Sequence, residues 1–185
     1  KYNDNELSVL IMGGSQSAKV FGEKVTETIV KCSKKNIKLK IYQQCLKEQI
    51  SEIEEIYKKN KISFKLFSFS EKLSDHYQVS DLAITRSGAS SIAELINLKI
   101  PFIAIPLPSS ADGHQFKNAL NFQKKGYCFL LEEKFIFPKL FEILEDLNKN
   151  REQLLLLKTK MKEHSDRHSV LKVGEFVEKF LNEKY

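Results

Sequence analysis

Six short apolar runs alternate with stretches of helical periodicity, and this alternation restricts the fold more than any other property of the chain. The runs are Leu7 to Met12, Ile37 to Tyr42, Ile62 to Phe67, Leu82 to Thr85, Phe102 to Ile105 and Tyr127 to Leu131. Between them, Val20, Phe21, Val25, Ile29 and Cys32 recur at helical spacing, as do Leu46, Ile50, Ile53, Ile56 and Tyr57. Further helical segments begin near Lys72, Ser90 and Gln115. Parallel strands need a crossover between them, and a right-handed helical crossover is the standard solution. The pattern therefore predicts an α/β fold, a Rossmann-like doubly wound parallel sheet of about six strands. After Pro138 it becomes purely helical, through Leu140 to Leu147, Leu154 to Met161 and Val170 to Leu181.

With 185 residues, 42% of them hydrophobic and 29% charged, the chain can bury a core without disulfides or a structural metal, and one domain spanning 1–185 is expected. Cys32, Cys45 and Cys128 are odd in number and form no Cys-x-x-Cys pair, which favours a reducing cytoplasm over a disulfide or zinc framework. No apolar run approaches the roughly 20 residues of a membrane span. No secretory signal is visible, and a start at Lys1 suggests a piece of a longer protein. The formal charge of +6 would favour anionic lipid, phosphorylated ligands or nucleic acid, but its lysines are scattered among glutamates as on solvated helix faces.

Ligands of open parallel sheets sit beyond the carboxyl ends of the strands, so the residues following each run carry the chemistry. Gly13-Gly14-Ser15-Gln16-Ser17 follows the first run, where glycines allow close backbone approach and a helix start can bind a diphosphate. A tight turn with Ser15 or Ser17 as an ordinary N-cap is the alternative. Thr85-Arg86-Ser87-Gly88-Ala89-Ser90 follows the fourth run and leads to Glu94, whose carboxylate could accept both hydroxyls of a ribose. Here the alternative is a capping box, Ser91-x-x-Glu94. Pro106 to Gln115 follows the fifth run, and His114, Gln115 and Asn118 offer hydrogen bonding suited to sugar hydroxyls, or His114 caps a helix. The spaced glycine fingerprint and ribose acid of a dinucleotide site are missing, as is a Walker loop, which argues against a nicotinamide dehydrogenase and a nucleotide hydrolase.

Together and in this order, these elements resemble the carboxyl-terminal domain of the MurG family of peptidoglycan glycosyltransferases, which have the two-domain GT-B fold. The resemblance is carried by Gly13-Gly14-Ser15-Gln16, Asp81 to Ala89, Glu94, Pro101, Pro106, His114-Gln115, Asn118-Ala119 and Gly126. It implies UDP-N-acetylglucosamine as donor, undecaprenyl-linked lipid I as acceptor and lipid II as product. It further implies that Gly14, Ser15 and Gln16 face the diphosphate and that Phe69 and Ser70 border the uracil. Arg86, Ser87, Gly88, Ala89, Ser90 and Glu94 would form the ribose and nucleotide pocket, and His114 and Gln115 would touch the sugar. One departure is Ser17, where the family usually continues with glycine.

The resemblance also implies an inverting displacement, a catalytic base drawn from an amino-terminal acceptor domain absent from these residues, and a peripheral place on the anionic cytoplasmic face of the bacterial inner membrane. No Asp-x-Asp motif occurs, so donor binding without a metal or other cofactor is expected, and nucleic acid is not an expected partner. Competing readings are a soluble subunit of a split UDP-sugar transferase, a UDP-sugar epimerase lacking a clear catalytic set, and a non-catalytic module that binds nucleotides or anionic lipid.

Overall fold

The computed structural model describes residues 6–14, 18–70 and 73–163. Six parallel strands form one sheet in the order β3-β2-β1-β4-β5-β6. They are β1 (Leu7–Met12), β2 (Leu39–Gln44), β3 (Ser63–Phe67), β4 (Leu82–Thr85), β5 (Phe102–Ala104) and β6 (Cys128–Leu130). The helices between and after them are α1 (Ala18–Val20), α2 (Thr26–Lys34), α3 (Ile50–Lys59), α4 (Leu73–Gln78), α5 (Ala89–Leu98), α6 (His114–Lys124), α7 (Ile136–Lys149) and α8 (Glu152–Glu163). A π-helical turn, Phe21–Val25, joins α1 to α2. The expected helix over Val170 to Leu181 lies outside the described residues.

The side-chain period of two in each strand divides the core between the two faces. Leu7, Val9, Ile11, Leu82, Ile84, Ile103 and Ile105 face a layer built from α2, α3 and α7. Their alternates Leu10, Met12, Ala83, Phe102 and Ala104 face α4, α5 and α6. Strands buried on both faces must read as continuous apolar runs, which is why β1 and β4 stood out in the sequence. The edge strand β3 keeps an exposed face and alternates accordingly.

Strand β2 begins and ends two residues later than its apolar run suggests. Residues 35–37 still close the preceding helix: Ile37 N–H donates to the Cys32 carbonyl at 3.0 Å, and Asn36 has a φ of 58°. At the other end the polar Gln43 is fully buried because it is satisfied. Its carboxamide accepts from the Tyr57 hydroxyl and donates to Thr26 Oγ1 at 3.3 Å.

The order of strands reverses direction between β1 and β4. From β1 the chain builds outward through β2 and β3, then returns to β1's other side and builds outward again through β5 and β6. Register places Met12 beside Thr85, so Gly13-Gly14 and Arg86-Ser87-Gly88 emerge next to each other. Helix α5, which starts from the second of these segments, ends on Lys99 in a left-handed conformation with φ of 58°. Ile100 N–H closes that end on the Leu95 carbonyl at 2.9 Å. A left-handed residue with a β-carbon is strained, so Lys99→Gly is expected to stabilise the fold by about 0.5–1 kcal/mol, read from urea unfolding.

Candidate functional site

The crevice where the winding reverses is where open α/β sheets take ligands. Its two borders are glycines of different kinds. Gly14 has a φ of 67°, a conformation that a side chain resists. Gly88 has ordinary extended backbone, φ −64° and ψ 144°. Among the described residues, a β-carbon at either position would meet no atom within 4 Å, so both border open space at the tips of β1 and β4. Ser15, Gln16 and Ser17 lie outside the described residues.

Helix α5 begins at Ala89 with Gly88 as its N-cap, and no described side chain caps it. Its first-turn amides and the positive end of its dipole are directed past the strand ends, and Ala89 and Ser90 are exposed there. Because the helix starts at Ala89, Ser91 is inside the first turn and the capping-box alternative is not formed. Glu94 is exposed and its carboxylate accepts a hydrogen bond from the Tyr77 hydroxyl at 2.8 Å.

Arg86 is only 7% exposed; its two terminal guanidinium nitrogens are bonded to the protein, while its Nε has no partner among the described residues. It donates to the carbonyls of Ile105 and Pro106 at 3.3 and 3.2 Å, pairs with Glu133, and lies 4.7 Å from the centre of the Phe21 ring. These contacts tie the β4–α5 segment to the segment after β5 and to the 3-10 turn Glu133–Phe135. Ser87 is fully buried, and its hydroxyl has no partner among the described residues.

The β5–α6 loop is joined to the same crevice. Asn118 Nδ2 donates to the Ser87 carbonyl at 3.5 Å, and Gln115 Oε1 accepts from Leu107 N–H at 3.0 Å, leaving the Gln115 amide group for other partners. His114 starts α6 with an exposed imidazole 3.8 Å from Asp112, and it does not cap the helix. A cleft of about 510 Å³ opens beside this loop, lined by Lys24, Leu107, Ser110, Phe116, Glu133 and Lys134. Gly14, Gly88 and Glu94 do not line it; the two glycines border a separate shelf at the strand tips. Beyond β3, Phe69 is 77% exposed and Ser70 is half-buried.

Helix α4 follows Phe69 and Ser70 and holds two aromatic side chains that sequence spacing does not single out as site residues. His76 stacks on Phe67 with ring centres 4.5 Å apart and packs obliquely on Tyr42. Tyr77 reaches both Glu94 and Met12. Burial, reinforced by the Glu94 carboxylate, pushes the Tyr77 phenol above its ordinary range, so it remains a proton donor. Burial also raises the thiols of Cys32 and Cys128 to about 12 and that of Cys45 to about 11, which leaves them unreactive.

The sequence profile of the glycosyltransferase family 28 C-terminal domain matches residues 8–173. The chain belongs to this family. It is 41% identical over 158 residues to the UDP-N-acetylglucosamine--N-acetylmuramyl-(pentapeptide) pyrophosphoryl-undecaprenol N-acetylglucosamine transferase of Pelagibacter ubique, covering 85% of this chain and 44% of that relative. The enzyme of the same name from Rickettsia bellii is 38% identical over 160 residues, covering 80% and 45%. The chain thus spans less than half the length of these relatives. Among solved structures, Acinetobacter baumannii MurG superposes with a TM-score of 0.82 over 97% of this chain and 54% of its own, at 24% identity, and so shares the fold.

Two variants test how this family 28 domain supports its crevice. Removing the guanidinium in Arg86→Ala strands Glu133 and two carbonyls, and is expected to cost about 3–5 kcal/mol in urea unfolding. His76 is held neutral: burial, then Lys65, lowers its pKa, against a smaller opposing effect of Asp75. The unfolded chain takes up its proton near about pH 6.5. The stability of the neutral form is therefore complete above that value and is lost as the pH falls from there toward the lower native value. His76→Phe, which retains an aromatic ring against Phe67, is expected to flatten the pH dependence of unfolding in that window.

Proposed function

We propose that this chain is the donor-binding half of an inverting glycosyltransferase that moves N-acetylglucosamine from UDP-N-acetylglucosamine to the muramyl 4-hydroxyl of undecaprenyl-linked lipid I, giving lipid II. The observation that carries this reading is the shelf at the β1–β4 junction. There, two glycines border open space beside an uncapped helix start, and the same helix presents a carboxylate five residues farther on. A rise of 1.5 Å per residue puts Glu94 about 7.5 Å along the axis from that start, so anion and ribose recognition are separated along one helix. Membership of family 28, and relatives named for this reaction, support the choice of donor and acceptor.

In this reading Gly14, Ser15 and Gln16 take the diphosphate with the amides of α5. Phe69 and Ser70 border the uracil, and Ser87, Gly88, Ala89 and Ser90 line the nucleotide pocket, with Arg86 holding that segment in place. Glu94 accepts the ribose hydroxyls, while His114 and the free amide of Gln115 meet the sugar. As the anomeric bond breaks, negative charge grows on the departing UDP, and the positive end of α5 lies where it stabilises that charge. Donor binding then requires no divalent cation. We assign the acceptor site and the general base to the part of the relatives that this chain does not span, and the working place to the anionic cytoplasmic face of the inner membrane. No helix among the described residues is long and apolar enough to cross a membrane.

Calorimetric titration with UDP-N-acetylglucosamine tests the reading. Binding should persist in the presence of a chelator, and its loss on chelation would refute the cation-independent site. Glu94→Ala removes charge-assisted hydrogen bonds and should weaken binding by about tenfold or more. Because the variant also takes the carboxylate from the buried Tyr77 hydroxyl, a loss of about 1–3 kcal/mol in unfolding free energy is expected beside it, so affinity is read on folded protein. Wild-type affinity in that variant would remove Glu94 from the site.

A further inference from the structure

We propose that Tyr77 is a positioning residue for ribose recognition, acting through Glu94 to set the preference for a ribonucleoside diphosphate over its 2′-deoxy counterpart. This rests on the reading of Glu94 as the ribose carboxylate.

An exposed glutamate on a helix samples several rotamers, yet accepting two vicinal hydroxyls requires one orientation. Ordering a loose side chain on binding weakens the complex. The Tyr77 hydroxyl removes that requirement in the free protein. It has a single proton and two acceptors in reach, Glu94 Oε2 at 2.8 Å and Met12 Sδ at 3.8 Å. The nearer, charged oxygen takes it, since hydrogen bonds to ionised acceptors are the stronger ones. One oxygen of Glu94 is thereby fixed while the other remains open to incoming hydroxyls.

The phenol is itself rigidly held. Tyr77 is only 7% exposed, within the layer formed with Met12, Ile92 and Leu95. Its neighbour His76 is clamped against Phe67 of β3 and Tyr42 of β2. Helix α4 thus anchors a hydrogen-bond donor to the sheet and directs it at an exposed carboxylate on the next helix. The bond satisfies the buried phenol, and it also gives a carboxylate that must be ready for a diol a fixed orientation.

The experiment measures UDP and 2′-deoxy-UDP affinities by calorimetry for the wild type, Tyr77→Phe, Glu94→Ala and the double variant, with thermal midpoints as a control for folding. Tyr77→Phe keeps the ring and should weaken UDP by about 3- to 10-fold, the worth of one hydrogen bond. It should change 2′-deoxy-UDP affinity by a smaller factor, and it should have no further effect on UDP once Glu94 is alanine. Equal weakening of both nucleotides, or an undiminished loss in the double variant, would assign Tyr77 a structural role and overturn the proposal. Unchanged UDP affinity in Tyr77→Phe, with Glu94→Ala still weakened, would overturn it while leaving the ribose reading intact. Unchanged UDP affinity in Glu94→Ala would remove the ribose reading and this proposal together.

Discussion

The parallel pairing of β1 with β4 is the constraint on which everything else in this domain depends. It joins two halves that wind outward in opposite directions, and it leaves the loops after these strands side by side with no crossover helix between them. The crevice is thus a product of topology before any side chain contributes to it. What the side chains add is restraint. Ser8 N–H donates to the Asp81 carboxylate at 2.9 Å at the opposite end of the same pair, and Arg86 fixes the outgoing segment at the crevice end.

Arg86 illustrates how a buried cation can brace a loop between strand and helix. A guanidinium has a planar fork of donors, and two carbonyls and a carboxylate use that fork here. In the proposed reading, the positive field at the shelf comes from oriented backbone amides at the start of α5, which need no reorganisation when charge develops.

The sheet was legible in the sequence wherever burial on both faces imposed a continuous apolar run. The limits of β1 and β4 follow directly from Leu7 to Met12 and Leu82 to Thr85. Strand β2 was displaced because a left-handed Asn36 and a satisfied Gln43 reverse the usual meaning of apolar and polar residues at strand ends. The three loops were legible as loops, since Gly14, Gly88 and the start of α6 all follow strands. Their internal bonding was not. The partners of Arg86 come from segments 19 to 47 residues away, and Tyr77 meets Glu94 only because α4 and α5 share one layer over the sheet. Local spacing even suggested a capping box at Ser91 that the start of α5 at Ala89 rules out.

Helix α8 bears on the domain as a thermodynamic unit. Leu154, near its start, packs into the layer built on α2, α3 and α7, while Met161, seven residues on, packs into the layer on the other face. Two covers separated by a sheet could in principle loosen independently, as separate foldons with their own opening free energies. A single helix anchored in both couples the two covers, so loosening either one strains the helix that also closes the other.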